Sequence, residues 1–357
     1  MNNLFLSPKF FPRAFFARTG RYIAGLQQAS GAIPWFAGGL LDPWDHVEAA
    51  MGLAVAGWHA EARRAYLWMA DRQERDGGFW PAYADGAALD RTRKESHHAA
   101  YLATGLWHYY LCSGDKRFVA ELWPCAEAGL GFACDLQSAK GEIAWAALPD
   151  GKPYPDALVT GCSSIFKSLE CGLLLADLLG EERPDWIQAR TSLGQALRHK
   201  PGRFDRTWES KERFAMDWFY PILCGVLSGS SGRRRLQARW SRFVDSLHGC
   251  RCVEDEPWVT VAESSELVIA LVAAGLPVRA ARVFSWLHAH REPSGAYWTG
   301  YQLRLEERWP KEQPTWTAAA VLLAADALVR ITPAAGLFTG VSFVSERALS
   351  LEADAAE

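Results

Sequence analysis

Acidic groups recur in this sequence at helical spacing: Asp45 with Glu48, Glu263 with Glu266, and Glu95 with His98 each stand three residues apart. On a helix that spacing puts both members on one face. Two carboxyl groups aimed into one cavity do general acid–base work when burial raises one until it holds a proton while the other stays ionised. A helix N-terminus favours the ionised form, so the first-turn Glu263, or Asp217 in Phe214-Ala-Met-Asp-Trp-Phe-Tyr-Pro221, suits a base. Glu266, a turn deeper beside Leu267 and Val268, suits the acid. Asp45 and Glu48 complete the catalytic candidates, and Glu95 and His98 are candidates for holding substrate.

Capping accounts for part of this charge. Asp45-x-x-Glu48, Thr92-x-x-Glu95 and Thr260-x-x-Glu263 all satisfy the capping-box pattern, in which the two side chains satisfy each other's backbone N–H groups. No cap requires Asp217, Glu266 or His98. A second set of candidates is aromatic: Trp35, Trp80, Tyr83, Trp145, Trp218, Trp258, Trp298, Tyr301 and Trp316. Flat rings with a polar edge suit sugar faces or isoprenoid chains, and equally plug the gaps between packed hairpins.

Other chemistries lack their motifs. The sequence has no H-E-x-x-H, no G-x-S-x-G and no glycine-rich phosphate loop. Ser163 and Ser164 have no partner that marks either as an activated nucleophile. His46, His98 and Asp217 are a conceivable ligand set, and of the adjacent His97 and His98 a helix turns only one to a cavity. Neither a metal nor a cofactor is therefore expected. A net charge of -3 supplies no excess of Lys and Arg to neutralise phosphates, which excludes a nucleic-acid partner. The eight Cys are scattered with no C-x-x-C pair, which suits reduced thiols in a cytoplasm. Pro8, Lys9, Pro12 and Arg13 interrupt any secretory signal, while the basic, aromatic segment 1–26 suits weak contact with an anionic membrane surface or an ordinary outer helix.

The elements that position these residues come from a repeat. A phrase of Gln, polar residues, Gly, then an aromatic or Ile and Trp returns along the chain: Gln28-Ala-Ser-Gly31-Ala-Ile-Pro-Trp35, Gln73 to Gly77 to Trp80, and Gln137 to Gly141 to Trp145. It decays to Arg291 to Gly295 to Trp298, and only its surroundings persist around Trp208 and Trp258. Each phrase follows a charged amphipathic segment and precedes a more apolar one rich in small residues. The charged segments span about 10–28, 58–73, 115–137, 184–198, 233–247 and 277–290. The apolar ones span about 45–56, 95–111, 162–179, 215–228, 260–274 and 315–330. Six outer–inner pairs predict an all-α (α/α)6 toroid over residues 1–331, with 332–357 as a C-terminal extension ending in a loose tail. The inner helices then start on one rim, around one cavity.

The Gln–Gly–Trp phrases resemble those of squalene and hopene cyclases, and the architecture resembles protein prenyltransferase β-subunits and six-hairpin glycosidases. Asp42-Pro-Trp-Asp-His-Val-Glu48, Phe214 to Pro221 and Trp258-Val-Thr-Val-Ala-Glu263 are also similar to uncharacterised bacterial proteins labelled prenyltransferase-like. The cyclase likeness implies an Asp-x-Asp-Asp acid and the prenyltransferase likeness an Asp, Cys and His zinc site; neither pattern occurs here. Separated carboxylates with aromatic platforms are what glycoside hydrolysis requires, and the glycosidase likeness implies an inverting acid and base. The expectation is an intracellular glycoside hydrolase acting on a small sugar or glycoside. An isoprenoid enzyme and a non-catalytic ligand-binding toroid are the alternatives.

Overall fold

The computed structural model describes residues 13–340; residues 1–12, with much of the segment read as membrane-contacting, and the tail from 341 lie outside them. In chain order the hairpins are α1 (Arg13–Leu26) with α2 (Pro43–Val55), α3 (His59–Arg72) with α4 (Ser96–Ser113), and α5 (Lys116–Asp135) with α6 (Val159–Leu179). They continue with α7 (Pro184–His199) and α8 (Ala215–Leu223), α9 (Gly229–Ala238) with the short α10 (Trp240–Phe243) and α11 (Val261–Ala273), and α12 (Pro277–Leu287) with α13 (Thr315–Val329). The inner helices α2, α4, α6, α8, α11 and α13 each pack on the next, and α13 packs on α2, closing the ring. The outer helices lie against them, α1 on α13 and α2, α3 on α2 and α4, α5 on α4 and α6. This is the expected toroid. None of the described helices is long and apolar enough to cross a membrane.

Composition explains which helices go inside. α13 is buried continuously from Thr317 to Ala327, because Ala-rich faces let it approach neighbours on every side. α3 buries only Ala62, Ala65, Tyr66, Trp68 and Met69, and turns its charged face outward.

The repeated phrase is a clamp. Gln73 Nε2 donates to the Gly77 carbonyl of its own loop (2.9 Å) and to the Cys125 carbonyl of the next outer helix (2.9 Å). Gln137 does the same with Gly141 and Ala189, both at 2.9 Å. In the first hairpin the clamp is Gln27, on Gly31 and Glu61, and not Gln28, which the sequence phrase had put in that place. The glycine is required twice over. Gly77 has φ +86°, and a Cβ there would collide with the Ala128 carbonyl of α5. Gly295 meets the α1 backbone at Arg18 and Thr19 in the same way, so the last hairpin locks onto the first.

The loops at the mouth carry short antiparallel ribbons, which the helical pattern did not indicate. β1 (Tyr83–Ala84) pairs with β2 (Ala87–Ala88), and β3 (Lys94–Glu95) with β4 (Ala146–Ala147). β5 (Val244–Asp245), β6 (Gly249–Arg251), β7 (Trp258–Thr260), β8 (Gly300–Gln302) and β9 (Glu307–Arg308) form a five-stranded sheet in that order. Beyond α13 the chain remains packed, with the 3-10 turn Pro333–Gly336 against α4 and α13.

Gln73→Ala removes one bond within its own loop and one to the next hairpin and is expected to cost about 1–3 kcal/mol. Gly77→Ala combines a positive φ with a backbone collision and is expected to cost more, about 2–4 kcal/mol. Thermal unfolding of both variants, with circular dichroism as the probe, checks the order.

Candidate active site

The first turns of the inner helices surround a cavity of about 410 Å³, within the range of about 300–1,000 Å³ usual for small-molecule sites. Trp35, Asp42, Trp44, Asp45, Glu48, His97, His98, Thr160, Met216, Glu263, Glu266 and Trp316 line it, with Leu158, Gly161 and Ala262. The acidic residues fall in two tiers because α2 and α11 each carry one carboxyl per turn.

Asp42, Asp45 and Glu263 form the upper tier. Asp42 is the N-cap of α2: its Oδ1 accepts the Asp45 N–H at 3.0 Å and its Oδ2 the Trp35 indole N–H at 3.1 Å. The Asp45 carboxyl is thus released from capping, and the expected Asp45–Glu48 box does not form. Burial raises Asp45 well above the ordinary carboxylate range, and Asp42, by charge and by a shared hydrogen bond, then Glu48 and Glu266 add to the rise. Glu263 Oε2 accepts the Thr260 hydroxyl. Thr260, the N-cap of α11, makes no side-chain cap bond, so this second box also does not form. Neither does the third: Glu95 is itself the N-cap residue of α4 and makes no cap bond.

Glu48 and Glu266 form the lower tier, and they also line a void of about 10 Å³ beneath, with Tyr101, Ser164, Lys167, Tyr220 and Phe338. Glu48 is 5% exposed, and burial, with the Asp42 and Glu263 charges against a Trp44 hydrogen bond, pushes it up to about 8. Glu266 rises through burial and the Glu48 charge, partly offset by the Tyr220 hydroxyl, which donates to Oε1. The raised acid read into Glu266 is therefore one of three.

Aromatic and histidine groups make one wall. Trp44 stacks on Tyr101 with centroids 4.4 Å apart and 14° between planes, and meets His97 edge-on at 5.1 Å. Trp35 and Trp316 form an edge-to-face pair at 6.5 Å. Both His97 and His98, in the first turn of α4, line the cavity, contrary to the one-face argument. Their Nε2 atoms lie 3.4 and 3.7 Å from Glu95 Oε2, and burial and His98 lower His97 to about 4. Burial raises Glu95, but His98, His97 and Arg93 outweigh it and hold it below its ordinary range. Glu95, His97 and His98 place ligand atoms within 4.8 Å of one another. Both Nδ1 atoms are buried without a partner among the described residues. The two Nε2 atoms are thus the ring nitrogens that meet Glu95, and the three side chains form one polar cluster at the cavity wall.

Other sequence candidates lie elsewhere. Asp217 stands behind the wall, its Oδ1 accepting the hydroxyl of the lining Thr160 at 2.5 Å; burial, opposed by that bond, pushes it up to about 6. His46 is pinned between the Ile33 N–H and the Ala65 carbonyl, so His46, His98 and Asp217 do not converge. Trp218 is fully buried on Phe243 and donates to the Arg235 carbonyl, which puts it between α8 and α9. Trp80 donates to Glu74, Trp298 to Glu292, and Trp258 to the Trp309 carbonyl; each ties a rim loop. Tyr83 accepts the Trp80 N–H, Trp145 packs on Tyr154 and Trp208, and Tyr301 stacks on His248. Of nine aromatic candidates, Trp35 and Trp316 line the cavity. Sequence reasoning missed Asp42, Trp44, Tyr101 and Tyr220, although Asp-Pro at 42–43 is a helix-start signal that identifies the cap.

No protein-family model matches the chain. The MMP endo-(1,4)-3-O-methyl-α-D-mannosidase of Mycolicibacterium hassiacum is 47% identical over 324 residues, spanning 91% of this chain and 89% of that protein. The chain belongs to this endo-mannosidase family. Solved structures share the fold at low identity. The GH63 mannosylglycerate hydrolase of Thermus thermophilus, in complex with Tris and D-glycerate, has a TM-score of 0.67 at 13% identity over 86% of this chain and 99% of that one. A glycosidase variant in complex with glucose has a TM-score of 0.66 at 14% identity over 92% of this chain and 99% of that one. The mannosidase homologue is a carbohydrate-active glycoside hydrolase, as expected from the paired carboxylates. The prenyltransferase-like label finds no support, and the Gln–Gly–Trp phrase that carried the cyclase likeness is the interhelical clamp, which reports the toroid and no chemistry.

An acid whose folded-state pKa is raised is more protonated folded than unfolded, so stability falls as pH rises from its ordinary value through the raised one. For Glu48 that window runs from 4.5 to about 8. Glu48→Gln is expected to stabilise the protein at pH 8 by on the order of 2 kcal/mol and to change little at pH 4.5, as read from denaturant unfolding at both values.

Proposed function

We propose that the enzyme cuts internal α-(1,4) links in chains of mannose carrying 3-O-methyl groups, by a single inverting displacement, in the cytoplasm. The observation that carries this reading is the meeting of Asp45 and Glu263 in one aromatic-walled cavity, in a chain 47% identical to an endo-mannosidase of that specificity. Leu158, Met216, Ala262 and the Trp44 ring offer apolar surface to the C–H face of a sugar and to methyl ethers. Eight free cysteines are consistent with a reducing compartment.

Asp45, whose burial favours the protonated form, gives its proton to the glycosidic oxygen as the bond to the anomeric carbon breaks. Glu263, oriented by the Thr260 hydroxyl, takes a proton from the water that attacks the opposite face. Asp45 ends ionised and Glu263 protonated, and exchange with solvent resets both. Glu266 and Asp217 leave the roles first considered for them: Glu266 lies a turn deeper with one oxygen committed to Tyr220, and Asp217 supports Thr160. Carboxyl groups and water suffice for this chemistry, and it draws on no cofactor.

Asp45→Asn and Glu263→Gln are each expected to lower kcat by about 10²–10⁴ on a methylated mannose oligosaccharide. Proton NMR of the fresh product is expected to show the β anomer. Asp45→Asn should recover activity on a substrate with an activated leaving group, whereas Glu263→Gln should not. A product that keeps the α configuration removes the single displacement, and recovery in Glu266→Gln instead of Asp45→Asn moves the acid to Glu266.

A further inference from the structure

Among the buried charged side chains that stand outside this chemistry, two hold the same segment. Asp326, 2% exposed near the end of α13, accepts the Thr332 N–H on Oδ1 at 2.7 Å and the Thr332 hydroxyl on Oδ2 at 2.6 Å. Lys167, also 2% exposed, donates from α6 to the Leu337 carbonyl at 3.2 Å and to Glu170 Oε1 at 2.9 Å. Arg190 completes the group, donating to Glu170 Oε2 at 2.6 Å. Between the two clamps, Arg330 with φ +52° reverses the chain after α13, and the 3-10 turn lies across α4 and α13. Phe338 then comes up against the small void that Glu48 and Glu266 line from above. Taking an ammonium out of water is costly unless its hydrogen bonds are in place. The inner helices need neither clamp to pack on one another; the segment after α13 does.

We propose that Thr332–Phe338 is the floor of the active site: a strap, clamped by Asp326 and Lys167, that closes the toroid beneath Glu48 and Glu266 and keeps water from reaching them from below. The proposal rests on reading the cavity above as the hydrolytic site. The strap residues are positioning residues, since they act on the substrate-facing carboxyls only through solvent exclusion. The groups that face the pair are Asp42 and Asp45 from α2, Tyr101 with His97 and His98 from α4, and Lys167 from α6. Tyr220 and Cys224 face it from α8, Glu263 from α11, and Cys250 and Cys252 act on it from the β6 segment. Trp316, Leu323 and Phe338, from α13 and the strap, do not titrate. Lys167 is the one cation among them, and its charge is matched by Glu170. With no free cation opposite the pair among the described residues, the exclusion of water is what keeps it protonated, and the described residues leave the cavity open at the mouth.

The test follows the carboxyl carbons of the full-length protein by NMR with ¹³C-labelled glutamate, assigned through Glu48→Gln and Glu266→Gln, alongside the pH profile of kcat/KM. In the wild type, Glu48 is expected to titrate far above the ordinary carboxylate range. Phe338→Ala and Lys167→Met should each lower its proton affinity at least tenfold, shift the kcat/KM profile the same way, and leave the helical circular dichroism intact. Phe338→Leu should restore both. A wild type whose Glu48 and Glu266 titrate in the ordinary range overturns the proposal without any variant. So does a folded Phe338→Ala or Lys167→Met that titrates like the wild type; if Phe338→Ala does not fold, Lys167→Met decides. Absence of sugar hydrolysis in every sample, with the titrations as expected, counts against the glycosidase reading and leaves the floor standing.

Discussion

The backbones of four outer helices, α1, α3, α5 and α7, come so close to the loop of the preceding hairpin that the residue there has no room for a side chain. Gly77 under the Ala128 carbonyl is the clearest instance, and Gly141 meets Ser192 in the same way. A close approach of two backbones would leave carbonyls without partners, and the amide of Gln73 or Gln137 supplies the donor. The rotation between neighbouring hairpins is set by this contact. Because Gly295 makes it with α1, the same rotation closes the ring at the sixth hairpin. An open stack of hairpins would carry the same inner helices with no cavity between them.

Closure is what turns helix starts into a site. In a closed ring of six, every inner helix presents its first turn to one small volume, and only two of those helices, α2 and α11, carry acids on successive turns. Their carboxyl groups repel one another across a cavity that buries them. The response is proton retention: Asp45, Glu48 and Glu266 all rise, with burial the largest cause in each case. That retention lowers stability near neutral pH and, in the reaction proposed above, supplies the acid. The arrangement is destabilising where it is useful, as strained functional sites are in general.

The helices were legible because each obligation they meet is local. The inner helix expected over 260–274 runs from Val261 to Ala273, and the outer one over 184–198 from Pro184 to His199, since periodicity, Pro at the start and small residues inside all act within one segment. What faces the cavity was less legible because it depends on neighbours. Trp218 and Trp44 look alike in sequence; one is held on α9 by the Arg235 carbonyl and the other stacks on Tyr101. The capping boxes failed for a related reason. A carboxylate three residues after Thr or Asp closes a box only if nothing else competes for it, and Glu263 takes the Thr260 hydroxyl while Asp42 takes the cap of α2. The five-stranded rim sheet left almost no trace, because its strands are two or three residues long, too short to show alternation.

A toroid has two ends, and the chemistry requires them to differ. The mouth must admit a sugar chain and therefore water, so the only end at which solvent can be shut out is the far one. An all-Ala or all-Leu closure would exclude water as well as Leu337 and Phe338 do, but apolar contact alone does not fix where a segment of a few residues lies. A buried Lys on α6 and a buried Asp on α13 do fix it, since each is costly to bury unless this one segment supplies its partner. On the proposed floor, the asymmetry of the ring, polar and open above, apolar and clamped below, follows from a single need: to keep carboxyl groups protonated in a cavity that cannot be sealed from the side the substrate enters.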